Sequence, residues 1–170
     1  MRIAWLLLLA SIGMIRAESA AGVRWSAPAS WNAQAARPMR AATYTVPAAP
    51  GDKEDSECAV YYFGRGMGGS VDDNVKRWMG QFAPPQKEAQ PRKSTINGIR
   101  VTEIDLSGTY TGAGGPMATT KTIKPGYRLL GAIVEAPEGS LFIKFTGPAK
   151  TVAANLTGFE TLLKSLVREK

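Results

Sequence analysis

The sequence predicts an α+β fold, an α/β/α sandwich whose mainly antiparallel central sheet is flanked by helices. Three observations predict it. Two pairs of strand-like runs are joined by short turns, Asn97-Gly98 and Pro137-Glu138-Gly139, and hairpins force antiparallel pairing. The run Cys58 to Phe63 is apolar on both faces and needs cover on both sides. Two segments with a single apolar stripe, one mid-chain and one terminal, supply that cover.

The elements follow in order. Val23 to Trp31 carries two tryptophans and Pro28, and reads as an extended entry segment that packs its indoles onto the body. Arg40 to Val46 alternates, with Ala42, Tyr44 and Val46 on one face and Thr43 and Thr45 on the other. That is a half-buried strand, stopped by Pro47. Ala48 to Glu57 is a polar loop, and Cys58 to Phe63 an interior strand. After a glycine-rich turn, Val71, Val75, Trp78, Met79 and Phe82 fall on one helical stripe. Ser70 is placed to cap that helix with Asp73 three residues on, and Pro84-Pro85 ends it. Ser94 to about Leu106 forms a hairpin across Asn97-Gly98. Its apolar parity switches between Ile99/Val101 and Ile104/Leu106, which predicts a bulge or a two-sided strand. Ser107 to Gly126, with Gly112, Gly114, Gly115 and Pro116, reads as a long irregular loop. Tyr127 to Ala136 and Ser140 to Thr146 make the second hairpin. A helix from near Pro148 closes the chain, with Val152, Leu156, Phe159, Leu163 and Leu166 as its stripe, widened by Leu162 and Val167.

The chain has 170 residues, the size of one domain. Met1-Arg2 is a short positive start, Ile3 to Ile15 is almost wholly apolar, and small residues follow Arg16. This is the layout of a secretory leader and is too short for a membrane span. The expected division is a leader over 1–20 and one domain over 21–170, with no membrane anchor once the leader is removed. Cleavage between Ala17 and Ala21 is open. The protein is therefore expected to be exported, periplasmic or secreted, in a bacterium.

Cys58 is the only cysteine, so no internal disulfide forms, and its apolar run makes it a core residue. The net charge of +7 favours an anionic surface as partner. Nucleic acid is not expected for an exported chain, and the basic residues are spread out.

Trp25 with Trp31, Arg40-Ala41-Ala42-Thr43-Tyr44, and Val60-Tyr61-Tyr62-Phe63-Gly64 running into Val71 to Trp78 form one set of features. Tyr127-Arg128-Leu129-Leu130, Phe142 to Pro148 and Phe159 to Ser165 form another. With these the mature chain resembles the PsbP-like group, which shares its fold with the Mog-type Ran-binding proteins, and in particular its exported bacterial members. The resemblance covers nearly the whole mature chain, but its motifs are mostly packing residues. Known members are non-enzymatic: an extrinsic subunit of photosystem II, and a partner of a small GTPase. The resemblance implies a binding role. Neither partner carries over, because no partner-binding motif or metal-ligand set matches residue by residue.

There are no histidines, which removes Ser-His-Asp and Cys-His nucleophile systems and histidine metal sites. Ser-x-x-Lys is absent, and no carboxylate pair is marked by its setting. No catalytic residue, cofactor or metal site is expected. Gly64-Arg65-Gly66-Met67-Gly68-Gly69 spells G-x-G-x-x-G, but hairpins follow it rather than a parallel βαβ unit. Asp72 and Asp73 also occupy the first helical turn, where a pyrophosphate would lie. Asp52 to Glu57 lacks EF-hand spacing and reads as a solvated loop. Asn155-Leu156-Thr157 is a glycosylation sequon in spelling only. The candidate partner contacts are Arg65 and Met67 in the glycine turn, and Tyr110, Met117, Lys121 and Lys124 in the segment from 107 to 126.

The expected function is a non-enzymatic, monomeric binding or accessory module that docks on an envelope protein or complex. The alternative is a carrier of a small apolar ligand between sheet and helix, which requires a cavity of roughly 300 Å³ or more.

Overall fold

A computed structural model describes residues 17–113 and 122–170. The elements in order are β1 (Ala17–Ala20), β2 (Val23–Ser26), β3 (Asn32–Ala33), β4 (Arg40–Val46), β5 (Ser56–Tyr62), α1 (Val71–Met79), β6 (Phe82–Ala83), β7 (Arg92–Ile96) and β8 (Ile99–Ala113). They continue with β9 (Thr122–Ala136), β10 (Gly139–Pro148), α2 (Ala149–Ala154), α3 (Leu156–Lys164) and β11 (Val167–Arg168). The fold is α+β. The main sheet runs β3-β4-β5-β10-β9-β8-β6, with β7 also paired to β8, and a small sheet runs β1-β2-β11. Every pairing among these strands is antiparallel.

Alternation along β10 sorts the core. Leu141, Ile143 and Phe145 join Val152, Phe159, Leu162 and Leu166 in one apolar cluster, so α2 and α3 cover that face. Phe142, one residue out of phase, joins Val75, Trp78, Ile104, Leu129 and Ile133, so α1 covers the other. Gly131 makes the second contact possible: a Cβ there would lie 2.4 Å from the Trp78 ring. Cys58 is fully buried, and burial pushes its thiol far above the ordinary range. The indoles of the entry segment are buried too. Trp25 Nε1 donates to Tyr44 Oη at 2.9 Å and Trp31 Nε1 to Asn155 Oδ1 at 3.1 Å.

Local signals hold at the turns. Ser70 Oγ accepts from the Asp73 amide at 3.1 Å and caps α1. Asn97 and Gly98 both have positive φ, 49° and 76°, with Ile96 facing Ile99 across the turn.

Three sequence expectations are corrected, and one that left two outcomes open, at the parity switch, is decided. Phe82 is not on the helix. The chain turns at Gly80, whose amide returns to Lys76 O, and Phe82 pairs with Tyr110 as a strand while still packing on Val75 and Trp78. The switch of parity is a two-sided strand: pairing runs unbroken from Arg100 to Gly108, with Val101 facing one cluster and Ile104 the other. The segment read as a long irregular loop is strand at both ends. Residues 107–113 and 122–126 extend β8 and β9, and two register shifts near Gly108 and Tyr110 absorb the irregularity. Gly114, Gly115 and Pro116 lie outside the described residues. The terminal helix is two helices meeting at Asn155. Leu156 is consequently turned out of the stripe, and Val167 pairs with Arg24 in the small sheet.

Candidate functional site

The turn between β5 and α1 is held tightly. Gly64, Gly66, Gly68 and Gly69 all have positive φ. A Cβ on Gly68 would lie 2.5 Å from the Phe142 ring, so only glycine fits there. Asn74, buried on α1, donates from Nδ2 to Gly68 O and Ser70 O, both at 2.8 Å. This pinned turn presents Met67, 62% exposed, beside Phe63, 37% exposed. Arg65 stands 74% exposed with Glu138 only at 4.0 Å. Met39, exposed just before β4, accepts from the Tyr62 amide through its carbonyl at 3.2 Å. Phe63 stacks on Tyr61 with centroids 6.1 Å apart, and the Arg40 guanidinium lies 5.1 Å from the centre of the Tyr61 ring. The result is an apolar and cationic edge on a rigid support.

A second cluster lies further along the same face. Lys144 on β10 is largely buried. Its Nζ donates to Tyr110 Oη at 2.6 Å and to Gln81 Oε1 at 2.7 Å. Tyr110 is T-shaped on Phe82 and stacks on Tyr127 with centroids 6.0 Å apart. Burial pulls the Lys144 amine down to about 8; Glu57 opposes that fall and Arg40 adds to it. Burial likewise pushes the Tyr110 phenol up, with smaller pushes from Tyr61 and Glu57. Burial and the Glu54 carboxylate bring Tyr127 to about 12. Glu57 itself accepts from Arg40 at 2.8 Å and Arg37 at 3.4 Å.

The six candidate contacts separate. Arg65 and Met67 stand exposed together on the glycine turn. Tyr110 is 5% exposed and belongs to the Lys144 cluster. Lys124 bonds Glu54 at 2.7 Å, which holds that carboxyl below its usual range. Met117 and Lys121 lie outside the described residues. Lys144 escaped sequence reasoning. Its signal was available: a lysine inside Leu141-Phe142-Ile143-Lys144-Phe145, a strand with apolar neighbours on both sides and a covering helix expected on each face.

The other motifs find structural partners. Asp52 Oδ2 accepts from the Thr151 amide at 2.8 Å and from its hydroxyl at 2.5 Å, and Asp55 accepts from the Ala48 amide at 2.9 Å. Among the described residues no three His, Cys, Asp or Glu side chains gather to hold a metal ion. The strand before the glycine turn has antiparallel neighbours on both sides, so the turn is not part of a parallel dinucleotide-binding unit. Two open grooves border the helices. One, about 500 Å³, is edged by Asp72, Lys93, Arg100 and Glu135. The other, about 210 Å³, is edged by Arg92, Glu103, Asp105 and Glu160 beside Leu156 and Phe159. Both are open to solvent and edged by charged side chains. No described helix is long and apolar enough to cross a membrane.

Fold and surface together define a class: an antiparallel sheet with a few helices that presents a rigid apolar and basic edge. Among solved structures this fold is shared with cyanobacterial PsbP (CyanoP) from Synechocystis sp. PCC 6803, at a TM-score of 0.55 and 10% identity, covering 96% of this chain and 98% of that one. The chain thus has a PsbP-like fold. A protein of unknown function, PA94 from Pseudomonas aeruginosa, matches at a TM-score of 0.49 and 13% identity over 91% of this chain and 97% of that one. No protein-family model matches the chain, and no curated protein matches it in sequence.

Proposed function

We propose that this chain is an exported, non-enzymatic accessory module of the PsbP/Mog type, a monomer in which helices sandwich the sheet. It docks on a protein of the bacterial envelope through the edge formed by Phe63, Arg65 and Met67. One observation carries the reading: exposed Met67 and Phe63, and an exposed Arg65 whose carboxylate partner Glu138 lies 4.0 Å away, sit on a turn held by Asn74 and Phe142. A rigid apolar anchor ringed by charge has the composition of a protein interface. The PsbP-like fold supports an accessory role by analogy, and the basic edge suits an acidic face on the partner.

The test places a photo-crosslinking amino acid at Met67 and, separately, at Leu156, which is also exposed but lies on α3. In the native envelope fraction the Met67 probe should give one discrete protein adduct, the Leu156 probe none, and Arg65→Glu should remove the adduct. Equal adducts from both positions, or none from Met67, would refute the docking edge.

A further inference from the structure

We propose that β7 is a strand-addition site: an extended acidic segment of another protein pairs with its open side and joins the main sheet as one more strand. The reading goes beyond the docking edge of Phe63, Arg65 and Met67 and shares no residue with it.

The register of the hairpin fixes which backbone groups are left over. Ile96 and Ile99 flank the two-residue turn Asn97-Gly98, so the turn's closing hydrogen bond joins them. Antiparallel pairs alternate between bonded and unbonded. Ser94 with Val101 and Arg92 with Glu103 are therefore bonded, while Lys93 with Thr102 and Thr95 with Arg100 are not. The N–H and C=O of Lys93 and Thr95 consequently point away from β8. Among the described residues β7 pairs with no strand but β8, and neither of these two backbones finds another backbone partner. Every residue of β7 is at least partly exposed, and no proline interrupts it. Two donors and two acceptors thus stand in the spacing that a neighbouring strand requires.

The side chains select the segment. Thr102 lies two residues from Ile104, which packs with Val75 and Trp78 of α1, so Thr102 and the facing Lys93 lie on the α1 side of the sheet. Thr95, two residues on from Lys93, shares that side. There the open groove of about 500 Å³ runs between β7 and the first turn of α1 at Val71 and Asp72. Every second side chain of an added strand would project beside Lys93 at the mouth of this groove. The neighbouring cations are already engaged: Arg92 bonds Glu103 at 3.0 Å and Arg100 bonds Glu135 at 2.9 Å. Among the described residues Lys93 has no carboxylate at ion-pair distance. An acidic residue directly opposite Lys93 supplies the missing charge, and Asp72 on the α1 wall repels it toward the Lys93 side. β7 itself carries Arg92 and Lys93 and no acid. That charge disfavours a second copy of the same strand and favours an acidic partner.

The test uses the full chain, isotope-labelled for NMR, and the synthetic peptide acetyl-Thr-Val-Glu-Val-Thr-amide. Paired antiparallel, the peptide sets its Glu opposite Lys93 and its first Thr opposite Thr95. At saturating peptide the Lys93 and Thr95 amides should shift, and their exchange with solvent should slow about tenfold. Methylating the peptide nitrogen of Glu, which faces β7, should weaken binding about tenfold. Methylating the nitrogen of the Val that follows it, which faces away, should leave affinity nearly unchanged. Lys93→Glu, at an exposed position, should reverse the preference in favour of a peptide with Lys in place of Glu. Absence of shifts at Lys93 and Thr95 at millimolar peptide would overturn the proposal. So would equal weakening by the two methylations, which would mean charge attraction without strand pairing. Protection of the same amides that grows with protein concentration and needs no peptide would also overturn it, because the occupant would then be a second copy of the chain.

Discussion

Lys144→Met removes a buried cation while keeping most of its stem, and the structure sets both the size and the pH range of the effect. In the folded chain burial holds the amine at about 8 against an ordinary 10.5. Near neutral pH both folded and unfolded chains carry the proton, and the folded chain bears the whole cost of about 3 kcal/mol. As pH rises through the folded value, the folded chain sheds its proton while the unfolded chain keeps it, so the wild-type protein gains stability up to the unfolded value. The methionine variant lacks both the cost and the gain. It loses two hydrogen bonds, to Tyr110 and Gln81, worth about 1 kcal/mol each. The variant should therefore be about 1 kcal/mol more stable than wild type at neutral pH. By about pH 10 it should be the less stable of the two, the difference moving by about 2–3 kcal/mol. Urea titrations of both proteins across that range measure it, and subtracting one from the other cancels most of the tyrosine titration above pH 10. A difference that does not change with pH would refute the claim that Lys144 is held near 8.

Two further predictions concern packing. Gly131→Ala drives a Cβ to 2.4 Å from the Trp78 ring and 3.1 Å from Ile104; it should destabilise by about 1–3 kcal/mol and perturb tryptophan fluorescence, and an unchanged urea midpoint would show that α1 does not rest on that strand. A chain beginning at Ala21 lacks β1, whose Glu18 Oε2 accepts from Tyr44 Oη at 2.5 Å; it should be less stable by about 1–3 kcal/mol than a chain beginning at Ala17, and equal melting of the two would show that β1 contributes nothing.

Much of the fold was legible because its signals are local. Asn97-Gly98 needs positive φ at two successive residues, a demand met without distant partners. Ser70 and Asp73 form their cap within one turn. The alternation of Ala42, Tyr44 and Val46 was read correctly because the strand period is two and those three residues face one core. The errors arose where a distant strand outvoted the local pattern. Phe82 fits the helical stripe, but pairing with Tyr110 takes it out of the helix. The glycines after Ser107 argued for a loop, whereas the long partner strand extends the ladder past Gly108 and Gly112. Within the candidate site, the exposure of Arg65 and Met67 agrees with a glycine-rich turn. Tyr110 lay in the segment read as a loop and turns out to be buried under Phe82.

By itself the sequence determined the hairpins, the caps, the strand that must be covered on both faces, and the lack of any histidine-based chemistry. These depend on backbone conformation, side-chain period and residue type, all carried within a few neighbours. Only the tertiary structure decided that α1 rests on Gly131, that the glycine turn is pinned by Phe142, and that Lys144 meets Tyr110 and Gln81. Those contacts join residues tens of positions apart. Whether a polar group is solvated or enclosed depends on what the folded chain brings to it, and no local pattern encodes that.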